Sequence, residues 1–248
     1  MSWLALFLLG VGVSDLVFSV RPMRHVPEAV GATLAVGVGL LCGLTAGRDL
    51  AALLVVALLV VAWGQTVTRG FAAGGRAWLP LSVFGGGLVL GIALSPLATP
   101  ADGLLADWLA VTPVGVLAGL SADVTLVLTA VLLVQLSTGN VLVRLVLAAT
   151  GTVDPSRTPG GRDVPSYRLK GGRLLGPMER LFIVGLGIAG QLTAASVVIA
   201  AKGLLRWPEL QASRTEHGRG GIHAVTEYFL VGSFVSWMVA LGSLVLLR

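Results

Sequence analysis

The chain has 248 residues, 55% of them hydrophobic and 12% charged, with a formal net charge of +5 and a mean hydropathy of +0.91. A soluble domain carries about a quarter charged residues, so this composition excludes an ordinary soluble globular protein. The single cysteine, Cys42, excludes an intramolecular disulfide and a cysteine-based metal cluster. The basic residues sit in short loops beside apolar runs, where anionic lipid headgroups, not nucleic acid, are the expected partner.

A helix needs about 20 mainly apolar residues to cross the hydrocarbon core of a bilayer. Segments of that kind fall at 3–20, 28–46, 49–68, 78–97, 121–149, 176–203 and 226–247. The first has no Lys or Arg before its apolar run and has Arg21 and Arg24 after it, the reverse of a signal peptide, and it reads as a retained helix with Asp15 in its lower part. Small residues at helix-packing spacing, Gly39, Gly43 and Gly47, then Gly87 and Gly91, then Ser196 and Ala200, let helix backbones approach closely in lipid. In 101–120 the apolar run is interrupted by Asp102, Asp107, Trp108 and Pro113, which fits an interfacial or re-entrant element better than an eighth span.

Seven spans with the N-terminus outside put Arg21, Arg24, Arg69, Arg76, Arg144 and the basic residues of 151–173 inside, and leave Arg48, Lys202, Arg206, Arg214 and Arg219 outside. The positive-inside rule favours that orientation, N-terminus out and C-terminus cytoplasmic. The 151–173 loop combines Pro155, Pro159 and Pro165 with five basic residues, a composition that cannot bury a core. It reads as an extended cytoplasmic connector near anionic headgroups, or as a docking site for a soluble partner.

Polar residues inside the spans are the candidates for function, because each costs free energy in lipid. In the fifth span Gln135, Thr138 and Asn140 could meet Gln191 of the sixth as a mid-membrane polar cluster, and Ser137 to Asn140 marks either a local break or a packing notch. Pro177 and Glu179 suit the first turn of the sixth span with Gly176 as its cap. At its far end Lys202 and Arg206 share a face, and Glu227, in the first turn of the last span, should reach the same depth and pair with them. A proton or ion relay is the rival use of Glu227, Lys202 and Arg206, while on the inner side Asp15, Arg144, Glu179 and Arg180 could neutralise one another and tie the first span to the last hairpin. Gly185, Gly187 and Gly190 match G-x-G-x-x-G, but inside an apolar span with no preceding strand they do not make a nucleotide site. His25, His217 and His223 fall in predicted loops, without H-E-x-x-H or G-x-S-x-G, so no catalytic residue, cofactor or metal site is assigned.

The ordered set Gly172-Arg173-Leu174-Leu175-Gly176, Glu179-Arg180, Gly190-Gln191, Ala201-Lys202 with Arg206, and Glu227-Tyr228-Phe229-Leu230-Val231-Gly232 resembles the C-terminal hairpin of a family of uncharacterised bacterial integral membrane proteins, a domain of unknown function. The resemblance covers about a third of the chain, from Arg173 to Val239. A His-containing first-helix pattern of such proteins is absent here, with only Asp15 retained from it. The resemblance implies a bacterial membrane protein and supplies no activity to carry over.

The expected fold is therefore an all-α polytopic transmembrane bundle of about seven spans, one membrane domain over 1–248 with a C-terminal helical hairpin at 174–248, in a bacterial inner membrane. Three functions are open. The first is a non-catalytic accessory or anchoring subunit of an envelope complex, partnered by other membrane subunits or by its own copies. The second is a small-solute or ion transporter or channel with a path between spans five and six. The third is a lipid-modifying intramembrane enzyme.

Overall fold

The computed structural model describes residues 1–23, 25–72, 75–115, 117, 119–152, 172–201, 204 and 218–247. Among these the chain is all-α. The helices are α1 (Ser2–Val20), α2 (Val26–Leu41), α3 (Gly47–Gly70), α4 (Trp78–Ala93), α5 (Leu104–Val111), α6 (Ala122–Leu133), α7 (Gly139–Ala149), α8 (Gly172–Ile188), α9 (Leu192–Ala201) and α10 (Gly218–Leu246). A π-helical turn, Val134–Thr138, joins α6 to α7 in one 28-residue helix, Ala122–Ala149.

Among the described residues four helices are long and apolar enough to cross a membrane: Ser2–Val20, Gly47–Gly70, Ala122–Ala149 and Glu227–Leu246. Two other expected spans are shorter. The helices α2 and α4 have 16 residues each, about 24 Å at 1.5 Å per residue against a core of about 30 Å. The expected sixth span is two helices, because the backbone turns at 189–191. Gly190 takes φ +74 there, its N–H meets the Gly187 carbonyl at 3.1 Å, and the Gln191 N–H meets the Leu186 carbonyl at 2.8 Å. This is a left-handed glycine C-cap, which closes the carbonyls of α8 and ends it.

Two helix starts also differ from the expected ones. The helix α8 begins at Gly172, so Pro177 lies inside it and Glu179 lies two turns in, not in the first turn where the helix dipole would favour an acid. Likewise α10 begins at Gly218, which makes Glu227 an interior residue of that helix and places His223 in a helix, not a loop. In both cases a polar lead-in continues the helix beyond the apolar stretch. Among its described residues the 101–120 segment contains one helix, the eight-residue α5, about 12 Å long and too short to span.

The chain divides into two compact units, one of Met1–Val141 and one of Leu142–Leu246. In the first, α1 is the centre. Its residues are buried almost continuously from Ser2 to Asp15, as expected of a helix that is apolar all round. Helix α2 runs antiparallel to it: a Cβ on Gly31 would strike the Gly10 carbonyl, and one on Gly39 would strike Leu6 as well as Leu53. Helix α4 is also antiparallel to α1, with Gly87 against Phe7 and Gly91 against Leu4. The turn at Leu133 and Val134 packs on Gly12. In the second unit α8 packs on α10, where Leu244 fills the space beside Gly187, while Gly232 of α10 faces Val143 and Leu147 of α7.

Candidate functional site

Within the first unit, α1 and α3 run parallel, and each contributes an acid and a tryptophan to the other. At the start of both helices the Trp3 Nε1–H donates to Asp49 Oδ1 at 3.0 Å. Near their ends the Trp63 Nε1–H donates to Asp15 Oδ1 and Oδ2 at 3.1 and 3.3 Å. The order acid–tryptophan is thus reversed between the two helices, and a reciprocal stitch holds them in register. Asp49 occupies the first turn of α3, where the helix dipole favours a carboxylate. Its other oxygen accepts from the Thr99 hydroxyl at 2.7 Å, which in turn accepts from Arg48 Nη2 at 3.2 Å. The Ser2 hydroxyl donates to the Thr99 carbonyl at 2.7 Å, so Thr99 gathers the starts of α1 and α3.

The Asp15 end adjoins the π turn. Its carboxyl is buried, and the Thr138 hydroxyl adjoins it without completing a hydrogen bond of its own. Thr138 arrives there because the π turn inserts an extra residue into the 122–149 helix and turns Gln135, Ser137 and Thr138 inward, all buried. The Ser137 hydroxyl donates to the Gly12 carbonyl of α1 at 2.8 Å and to Leu133 at 3.1 Å. Such π turns recur at functional sites because they re-aim side chains. On the other flank Glu28, also buried, lies over Gly64, the residue after Trp63. His25 Nδ1 reaches its Oε1 at 3.1 Å. Among the described residues no cation is in an ion pair with Asp15, and no group of three or more His, Cys, Asp and Glu is placed to hold a metal.

The second unit repeats the device once. The Trp237 Nε1–H of α10 donates to Glu179 Oε1 of α8 at 2.8 Å, and Arg180 Nη1 of α8 donates to the Ser236 hydroxyl of α10 at 3.2 Å. Two adjacent residues on each helix therefore meet, with Glu179 and Arg180 both buried.

The residues singled out from the sequence are distributed as follows. Asp15, Gln135, Thr138 and Asn140 belong to the first unit, and Arg144, Glu179, Arg180, Gln191 and Glu227 to the second. Gln135 and Thr138 lie in the π turn beside α1, and Asn140 follows in α7. Gln191 is exposed at the break between α8 and α9, so it is no longer the centre of a continuous span. Arg144 and Glu227 are exposed. Lys202 and Arg206, and with them the expected pairing to Glu227, lie outside the described residues, as do His217 and 153–171 of the basic loop.

Sequence reasoning missed Trp3, Trp63 and Trp237, and with them Asp49 and Thr99. The signal available was depth: Asp15, Asp49 and Glu179 each stand at the level of a tryptophan on another helix, and a buried indole N–H needs an acceptor. The chain matches no family model, no curated protein and no solved structure.

Proposed function

We propose that the chain is a polytopic protein of a bacterial inner membrane, crossing it seven times with the N-terminus outside, and that it serves as a non-catalytic accessory or anchoring subunit of an envelope complex. Helices α2 and α4 cross as short spans, a mismatch that a bilayer absorbs by local thinning. The pair α8 and α9 crosses as a broken span, and α5 lies at the outer interface with Trp108 and Val111 exposed. The observation that carries the subunit reading is how the buried carboxyls are bonded. Asp15, Asp49 and Glu179 each accept from a tryptophan of a neighbouring helix, so these acids hold helices together and do not converge as an acid–base pair. The faces left for a partner are broad: the apolar stretch of α10 is only 22% buried, whereas that of α1 is 67% buried. Extraction in a mild detergent tests the reading. A subunit keeps one partner, or a second copy, at fixed stoichiometry through two successive columns; a stable, monodisperse monomer contradicts it.

One observation favours the transport alternative: the enclosed carboxyl of Asp15 beside the polar π turn, with no cation paired to it among the described residues. On that reading Asp15 carries a proton or a cation, and the path lies along α1 and the π turn, not between the fifth and sixth spans. Proteoliposomes loaded with a pH-sensitive dye decide it: flux that Asp15→Asn abolishes supports transport, and wild-type vesicles no leakier than empty ones contradict it.

A further inference from the structure

A cleft of about 380 Å³ opens between α3 and α4 in the first unit and reaches down to α1, a size within the range of about 300–1,000 Å³ common to small-ligand pockets. Its walls are Ala51, Ala52, Val55 and Leu59 of α3 and Leu90 of α4, its floor is Trp3 and Phe7 of α1, and Arg48 stands at one end. The cleft exists because the facing positions are small: Ala51 and Ala52 oppose Gly87 and Gly91, which bring α4 down onto Phe7 and Leu4 but leave the space beside α3 unfilled.

We propose that this cleft binds one acyl chain of an anionic glycerophospholipid, with the phosphate held by Arg48. Three observations carry it. The first is length. From Arg48 to Leu59 the wall rises about 16 Å along α3, close to one leaflet's share, about 15 Å, of the hydrocarbon core. The second is charge. Arg48 is exposed and gives one hydrogen bond to the Thr99 hydroxyl at 3.2 Å, which leaves most of its five donors for a phosphate. Its neighbour Asp49 is fully buried with both oxygens bonded to Trp3 and Thr99. The charged group lining the cleft is therefore the Arg48 guanidinium, which favours an anion. The third is width. The cleft passes between two helices that are in contact and ends on a third, so a transmembrane helix, about 10–12 Å across, enters only by displacing α3 or α4, whereas a single hydrocarbon chain enters without that. The proposal rests on the membrane-spanning reading and is independent of the subunit reading.

Native mass spectrometry of the full chain, delipidated in mild detergent and titrated with palmitoyl-oleoyl phosphatidylglycerol or phosphatidylcholine, tests it. The wild type should retain one phosphatidylglycerol about tenfold more tightly than phosphatidylcholine, the worth of one charge-assisted contact. Arg48→Gln should reduce phosphatidylglycerol to the phosphatidylcholine level, and Arg48→Lys should restore most of the difference. Ala52→Phe, which fills the cleft from a half-buried position, should weaken both lipids with little change in thermal midpoint. Equal retention of the two lipids by the wild type overturns the proposal, as does phosphatidylglycerol binding that survives both Arg48→Gln and Ala52→Phe. So does a dimer mass that Ala52→Phe abolishes, which would make a second copy the occupant. A chain that fails to sediment with membranes before extraction would instead defeat the membrane reading.

Discussion

An indole N–H is a single uncharged donor, so a carboxyl bonded to it gains direction without neutralisation. What each tryptophan contributes then depends on what else its acid has. Asp15 takes both bonds from Trp63 and has no completed bond to Thr138. Asp49 keeps Thr99 when Trp3 is lost, and Glu179 keeps the Arg180 charge nearby when Trp237 is lost. Leaving a buried acceptor unsatisfied costs about 1–3 kcal/mol, more for charged groups. Trp63→Phe should therefore lower the unfolding free energy in a bilayer mimic more than Trp3→Phe or Trp237→Phe, each of which should cost about 1 kcal/mol; chemical or thermal unfolding of the three variants gives the order. None of these pairs was legible in the sequence. The partners are 46, 48 and 58 residues apart, and hydropathy treats tryptophan as apolar mass, not as a donor. Asp15 was visible as an acid inside a span; that Trp63 reaches it from α3 was not.

Hydrophobicity locates helices better than it locates their ends. The apolar stretches read from the chain coincide with α1, α3, the 122–149 helix and the apolar part of α10, because burial in lipid and burial in a bundle both select the same residues. The ends of α8 and α10 were misjudged because a helix continues as long as its backbone bonds do, and polar residues at Gly172–Arg173 and Gly218–Thr226 do not stop it. The break at Gly190 was hidden for the opposite reason: one glycine in an apolar run looks like a packing notch until its φ is known. Gly190→Ala should strain that left-handed cap by about 1–2 kcal/mol, seen as faster amide exchange at Leu186 to Leu192 with the first unit unchanged. Gly31 has another role, since α2 rests on the α1 backbone there. Gly31→Val should push α2 away and cost about 1–3 kcal/mol in overall stability, whereas Gly37→Val, where nothing lies within 4 Å, should cost little.

On the scale of the whole chain, the proposed topology makes opposite ends of the first unit face opposite compartments. Under that proposal the Trp3–Asp49–Thr99 end would face outward, with the α2–α3 turn, and the Asp15–Trp63 end would face the cytoplasm with Arg21 and Arg76. With the buried Cys42 replaced by Ala, a membrane-impermeant maleimide should label Thr45→Cys in intact cells and label Arg76→Cys and Gly160→Cys only after permeabilisation; the reverse pattern would invert the orientation. Positive charge placed the short loops in this scheme, but it carried no information on which helices touch, because packing is decided by small residues and by the tryptophan bonds. The claim on which the rest depends is that Asp15 and Trp63 act as one clasp between α1 and α3. A double-mutant cycle of Asp15→Leu and Trp63→Phe, followed by unfolding in lipid nanodiscs, measures that directly. The double variant should lose less stability than the two single losses added together, with a coupling of about 1 kcal/mol or more; losses that add to within about 0.3 kcal/mol would contradict the clasp.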